Sequence, residues 1–142
     1  MKRIEQLQAL SKEHHLSLQL AKKCKDIKIK NDYKALSEFS LQLSKDFNTL
    51  WKQHFHIEEQ SIFNVAKNKT DEINRLCQQL KLEHSTMRDM VSKIAAGEYS
   101  LLHDFGKLLH DHTRLEERQL FPLVEKHFNT AELNNILTQS QS

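Results

Sequence analysis

Four histidines of this chain sit on apolar stripes at helical spacing, and two of them are followed four residues later by a glutamate. His14 lies four after Leu10, seven after Leu7, four before Leu18 and seven before Ala21. His54 falls between Phe47, Leu50 and Ile57, His84 between Cys77, Leu80, Met87 and Val91, and His112 between Phe105, Leu108 and Leu115. A helix turns about 100° per residue, so positions four and seven apart share a face. Glu58 follows His54 by four and Glu116 follows His112 by four. That spacing sets an imidazole and a carboxylate one turn apart on the same side. His15, His56, His103, His110 and His127 fall off the stripes and are expected at the surface.

Imidazole and carboxylate together suit first-row divalent metals. A carboxylate buried alone is costly enough to be neutralised instead. Two carboxylates and four imidazoles on interior faces therefore need compensation, and a pair of cations supplies it. Taken singly, a His on an apolar stripe reads as a core histidine bonded to a carbonyl, and one His-x3-Glu as a surface pair. The joint pattern points to a two-metal site of His14, His54, Glu58, His84, His112 and Glu116. The chain also repeats itself. LWKQHFHIEEQSIF (Leu50 to Phe63) aligns with LLHDHTRLEERQLF (Leu108 to Phe121), setting His54 on His112, Glu58 on Glu116, Glu59 on Glu117 and Phe63 on Phe121. LSKEHH (Leu10 to His15) aligns with LKLEHS (Leu80 to Ser85), which sets Glu13-His14 on Glu83-His84 and favours His14 over His15. Each half thus offers one lone-His helix and one His-x3-Glu helix. Glu13, Glu59, Glu83 and Glu117 read equally as partners of the ligand histidines or as solvated charges.

The elements that must position these residues are long helices. The periodicity predicts them over about Ile4 to Lys25, Tyr33 to Lys67, Glu72 to Ala96 and Leu101 to His127, with Thr130 as the expected cap of a short final helix through Leu137 and a frayed TQSQS end. Thr70 or Asp71 suits an N-cap, Gly97 a helix C-terminus and Ser100 the next N-cap. Pro122 should kink or loosen its helix. Gly106 allows either close packing or an opening beside the cluster. Two Gly and one Pro leave little punctuation for strands. Short loops make neighbours antiparallel. The expectation is an all-α, up-down-up-down four-helix bundle in one domain over 1–142.

The 21 basic and 19 acidic residues are interleaved, so nucleic acid is not an expected partner. Lys22, Lys23, Lys25, Lys28 and Lys30 form the densest basic group and read as a solvated helix end and loop. The start of the chain has no apolar core of a secretory signal, and no run matches a membrane span. Cys24 and Cys77 fit neither a zinc nor a CxxC pattern and read as packing thiols in a cytoplasmic protein.

With KEHH (Lys12 to His15), HFHIEEQSIF (His54 to Phe63), LEH (Leu82 to His84) and HTRLEERQLFP (His112 to Pro122), nearly the whole chain resembles the hemerythrin-like, HHE cation-binding family. The resemblance implies a bundle with a non-haem di-iron centre, in which His14, His54, His84 and His112 ligate iron and Glu58 and Glu116 bridge the two ions. The oxygen-carrying members place two His one turn apart on the third helix, whereas Leu80 and Arg88 flank His84 here at that distance. They also use a longer His-to-Asp spacing on the fourth helix. The pattern is closer to bacterial relatives of sensing, iron-handling or repair type. The expected cofactor is two iron ions, with manganese or zinc not excluded by the ligands. The expected partner is a small ligand (dioxygen, nitric oxide or peroxide), with an apolar wall of Phe47, Leu50, Phe105, Leu108 and Leu115 limiting water and proton access. The alternatives are a di-iron redox enzyme or repair protein acting on peroxide or nitric oxide, and a metal-free bundle with core histidines.

Overall fold

Caps and apolar stripes set the helices. The computed structural model describes residues 3–28 and 32–141. Helix α1 spans Glu5–Asp26. Helix α2 runs over 33–66, opened by Asp32, whose carboxylate accepts the Ala35 N–H at 3.0 Å. Helix α3 spans Asp71–Ala95, capped by Thr70 Oγ1 on the Ile73 N–H at 3.2 Å. Gly97 follows it at φ 109°, the left-handed turn expected there. Helix α4 runs over 102–127 and α5 spans Thr130–Ser140. Among the described residues there is no strand, and no helix is long and apolar enough to cross a membrane.

Three local expectations are corrected. Ser100 caps nothing; a short 3₁₀ turn, Tyr99–Leu101, leads into α4 instead. Asn129 rather than Thr130 caps α5, through a reciprocal pair with Glu132. The final helix holds through Ser140, beyond the expected Leu137. Lys22, Lys23, Lys25 and Lys28 are exposed as expected, while Lys30 and the middle of the first connection lie outside the described residues.

The core falls into two apolar halves, and their membership fixes the antiparallel order. One half gathers Leu7 and Leu10 from the start of α1, Ile62 and Phe63 from the end of α2, Ile73 and Leu80 from the start of α3, Leu120 and Phe121 from the end of α4, and Ile136 of α5. The other gathers Ala21 and Cys24, Leu36 and Leu43, Met87 and Val91, and Leu102 and Phe105, from the opposite ends of the same helices. His14, His54, His84 and His112 lie between the two halves. Within the expected stripes, Leu18 is only half-buried and Ser17 takes the inward place; likewise Leu109 is buried where Leu108 is only partly so.

Helices α2 and α4 each depart from regular geometry beside the candidate ligands. The N–H groups of Lys52, Asn64 and Phe121 bond the carbonyls five residues back, at Phe47, Glu59 and Glu116. These single π turns have a cause in the spacing of buried residues. The runs 43-47-51-55, 54-58-62-66 and 112-116-120-124 are buried at strict four-residue intervals. On an ordinary helix such a row drifts about 40° per step. A wider turn cancels part of that drift and keeps the row facing inward. Pro122 follows the π turn Glu116–Leu120 within α4, but the matching turn Glu59–Phe63 of α2 forms with no proline after it.

Candidate metal centre

The six candidate residues meet in one buried layer. Glu58 and His84 are fully buried, and His14, His54, His112 and Glu116 are at most 3% exposed. His15 is exposed. His14 and His54 approach through their Nε2 atoms at 3.2 Å. Glu58 Oε2 lies 3.3 Å from His54 Nε2 and 3.6 Å from His14 Nε2, while Glu58 Oε1 lies 3.2 Å from His84 Nε2. Glu116 Oε1 lies 2.9 Å from His112 Nε2 and 3.4 Å from His14 Nε2. Two overlapping sets result, His14-His54-Glu58-Glu116 and Glu58-His84-His112-Glu116, each with its ligand atoms within 4.8 Å of one another. Both sets share both carboxylates.

Behind this layer the four flanking glutamates form a closed ring. Glu13 on α1 holds His54 Nδ1 at 3.0 Å, Glu59 on α2 holds His84 Nδ1 at 2.8 Å, Glu83 on α3 holds His112 Nδ1 at 2.8 Å, and Glu117 on α4 holds His14 Nδ1 at 2.7 Å. Each helix thus orients the histidine of the next. A carboxylate only accepts, so each Nδ1 carries a proton, and in the neutral ring the Nε2 lone pair turns inward. The repeat in the sequence is visible in this ring, since its bonds exchange in pairs when the two halves are exchanged.

The inner atoms lack ordinary partners. Both oxygens of Glu58, both oxygens of Glu116, and Nε2 of His84 and His112 are buried without a hydrogen bond. Orphaned carboxylate oxygens at full burial are costly. A donor set of four imidazole nitrogens and two carboxylates fits a pair of divalent cations, which would satisfy every one of these atoms.

Charge balance shows the same demand. Burial opposes the charged form of His54, but Glu58 and Glu13 outweigh it and raise its pKa to about 9. Burial likewise opposes His112, which Glu116, Glu83 and Glu58 raise to about 10. His14 is held well above its usual value, against burial, by Glu116, Glu117 and Glu58. Burial works against ionised Glu58, yet His54, Glu116 and His14 hold it well below the carboxylate range. Without metal, the cluster therefore balances itself with protons. Raised histidines contribute stability that is complete below their unfolded value of about 6.5 and is lost as pH rises through 9 to 10. Lowered Glu58, Glu59, Glu83 and Glu117 contribute stability above about 4.3 that is lost on acidification. The metal-free protein should therefore be most stable at mildly acidic pH and its Tm should fall toward pH 10. Cations displace the same protons, so the Tm gained from metal should widen between pH 6 and 9 and vanish in acid. A gain that is flat or shrinks over that range would contradict this balance.

The rings around the cluster differ from the expected wall of Phe47, Leu50, Phe105, Leu108 and Leu115. Phe47 and Phe105 are buried in one apolar half, but the three leucines are only partly buried. The rings that touch the layer are Phe55, stacked on His84 at 3.8 Å, Phe63 on His84 at 5.4 Å, Phe121 on His14 at 5.2 Å, and Trp51 beside His54 at 5.6 Å. Phe63 and Phe121 were paired by the repeat, which was the available signal for their shared task. Ser17 and Thr113, whose hydroxyls meet at 2.9 Å between α1 and α4, had no such signal. Cys24 and Cys77 are free, and burial pushes both thiols up to about 12, as packing residues require. His103 ties the chain at the surface, donating to the Ile27 carbonyl at 2.8 Å.

A model of the hemerythrin HHE cation binding domain matches residues 5–124 of the chain. Comparison with curated proteins gives no match, and neither does comparison with solved structures.

Proposed function

The chain belongs to the hemerythrin HHE cation-binding family, and from that premise we propose that it holds two iron ions and binds or senses a small ligand (dioxygen, nitric oxide or peroxide) or handles iron. The observation that carries the reading is the pair of ligand sets sharing Glu58 and Glu116. Glu58 turns one oxygen toward each half and Glu116 Oε1 lies near a histidine of each, an arrangement that suits two neighbouring cations better than one. In this reading His14 and His54 would help hold one ion, His84 and His112 the other, and Glu58 and Glu116 would be available to both. Bound iron supplies Lewis acidity and one-electron chemistry toward such ligands.

The protein's own part is arrangement and exclusion. The ring of Glu13, Glu59, Glu83 and Glu117 keeps each Nε2 turned inward and neutral histidine in the tautomer a metal needs. The two apolar halves close the layer on both sides, which limits water and proton access to a ligand held there. Neutral-ligand binding at a dry site of this kind needs no general acid or base, and that favours binding or sensing over turnover.

Metal analysis and an absorption spectrum of the purified protein test the proposal. The expected result is two irons per chain and a spectrum that changes reversibly with dioxygen or nitric oxide. Protein with no metal, and no rise in Tm on adding ferrous iron, would leave only a helical bundle with core histidines. Sustained consumption of peroxide or nitric oxide with a reductant would move the assignment to a redox enzyme.

A further inference from the structure

Two arginines stand behind the cluster in matching ways. Arg88 on α3 donates to Glu59 Oε2 at 3.1 Å, and its guanidinium lies 5.9 Å from the centre of the Phe55 ring. Both of those groups hold His84: Glu59 accepts its Nδ1–H, and Phe55 stacks on its face. Arg3, just before α1, repeats the arrangement at His14. Here the hydrogen bond goes to the main chain: Nη2 donates to the Glu117 carbonyl at 2.6 Å, while Nε lies 3.6 Å from Glu117 Oε1 without a hydrogen bond, and the guanidinium lies 5.9 Å from the centre of Phe121. Glu117 accepts the Nδ1–H of His14, and Phe121 stacks on that imidazole. Nη1 of Arg3 is anchored in turn on Glu125 Oε1 at 2.8 Å. Among the described residues no arginine reaches Glu13 or Glu83, the partners of His54 and His112.

We propose that Arg3 and Arg88 are positioning residues of the metal centre, each clamping the glutamate and the aromatic ring that together fix one histidine. The inference rests on the two-metal reading for its consequence, one clamp serving each ion: Arg3 acts through His14 on one, Arg88 through His84 on the other. The physical need is plain. Glu59 and Glu117 are partly solvated at the bundle surface, where a glutamate samples several rotamers. A guanidinium fork supplies directed hydrogen bonds and a flat cation for the ring, so one contact restrains both supports. Arg3 and its anchor Glu125 lie outside the matched residues 5–124, while Glu117 and Phe121 lie within them.

The test compares R3Q, R88Q, R3K and R88K with R118Q, a change at an exposed arginine of α4. In the metal-free protein, R88Q should shift and broaden the NMR signal of the His84 Nδ1–H, and R3Q that of His14, with His54 and His112 unmoved. In iron-loaded protein, each Gln variant should release metal to a chelator about 10-fold faster, the lower end of what outer partners of metal ligands contribute. Mössbauer spectra should show one of two iron signals altered in each variant, and the Lys variants should recover part of the loss. Wild-type histidine signals and release rates in both Gln variants would overturn the proposal, as would equal acceleration in R118Q. Failure of the wild-type chain to take up iron would sink the di-iron reading, while the metal-free spectra would still decide for or against the clamps.

Discussion

If two ions share the site as proposed, Glu58→Ala is expected to strip both from the bundle, lowering affinity by more than about 100-fold, beyond the usual effect of an outer partner. Glu58 turns Oε2 to the His14-His54 half and Oε1 to His84, so its loss strikes both ligand sets together. His112→Ala removes a ligand from one set only and should weaken one ion before the other. His15→Ala and His56→Ala, at exposed positions, should leave metal content unchanged. Metal analysis after dialysis separates these cases. Equal losses from Glu58→Ala and His15→Ala would remove the basis for assigning the ligands. A metal-free consequence accompanies this. Glu58 is a main support of the raised His54 pKa, so Glu58→Ala should return His54 toward ordinary titration and flatten the pH dependence of the metal-free Tm.

Gly106→Ala should destabilise the bundle even though alanine is the better helix former. A Cβ at this position would lie 2.7 Å from the Ala21 carbonyl oxygen, 2.9 Å from Cys24 Cβ and 2.9 Å from Lys25 Cγ. The lysine chain can swing aside, but a backbone carbonyl inside α1 cannot. Alanine contributes about 1 kcal/mol through helix propensity, and forcing two packed elements apart costs about 1–3 kcal/mol or more. The balance is a net loss of up to about 2 kcal/mol, a Tm lower by up to roughly 7 °C for a chain of this size. Gly106→Val should lose more, since its branches enter the same gap. Helix α1 carries His14 and α4 carries His112, so metal affinity should decline with Tm. A rise in Tm for Gly106→Ala would show that α1 and α4 have room to spare.

The composition of the cluster was legible along the chain because each helix reports its own buried face. The phase of His14 against Leu7 and Leu10, or of His112 against Phe105, is local and follows from the pitch of the backbone. The i,i+4 pairs His54-Glu58 and His112-Glu116 needed no partner helix to define their common side. The same periodicity, with few breakers, was enough for the bundle. Gly106 shows where such reading stops: its sequence context allowed a close contact or an opening, and only the neighbouring Ala21 carbonyl distinguishes them. Leu108 and Leu109 show it again, since two adjacent leucines compete for one inward place and the rotation of the whole helix chooses.

The amino-acid sequence alone thus determined that His14, His54, His84, His112, Glu58 and Glu116 share the inward faces of their helices and that two equivalent halves contribute them, because those properties depend on intervals within one rod, while close contests such as Ser17 with Leu18 or Leu108 with Leu109 did not. Tertiary structure decided who meets whom: Glu13 with His54, Glu59 with His84, Glu83 with His112, Glu117 with His14, and an arginine behind two of the four. Partners on different rods are set by how far one helix slides and rotates against the next. That register exists only once all the apolar faces have packed at the same time.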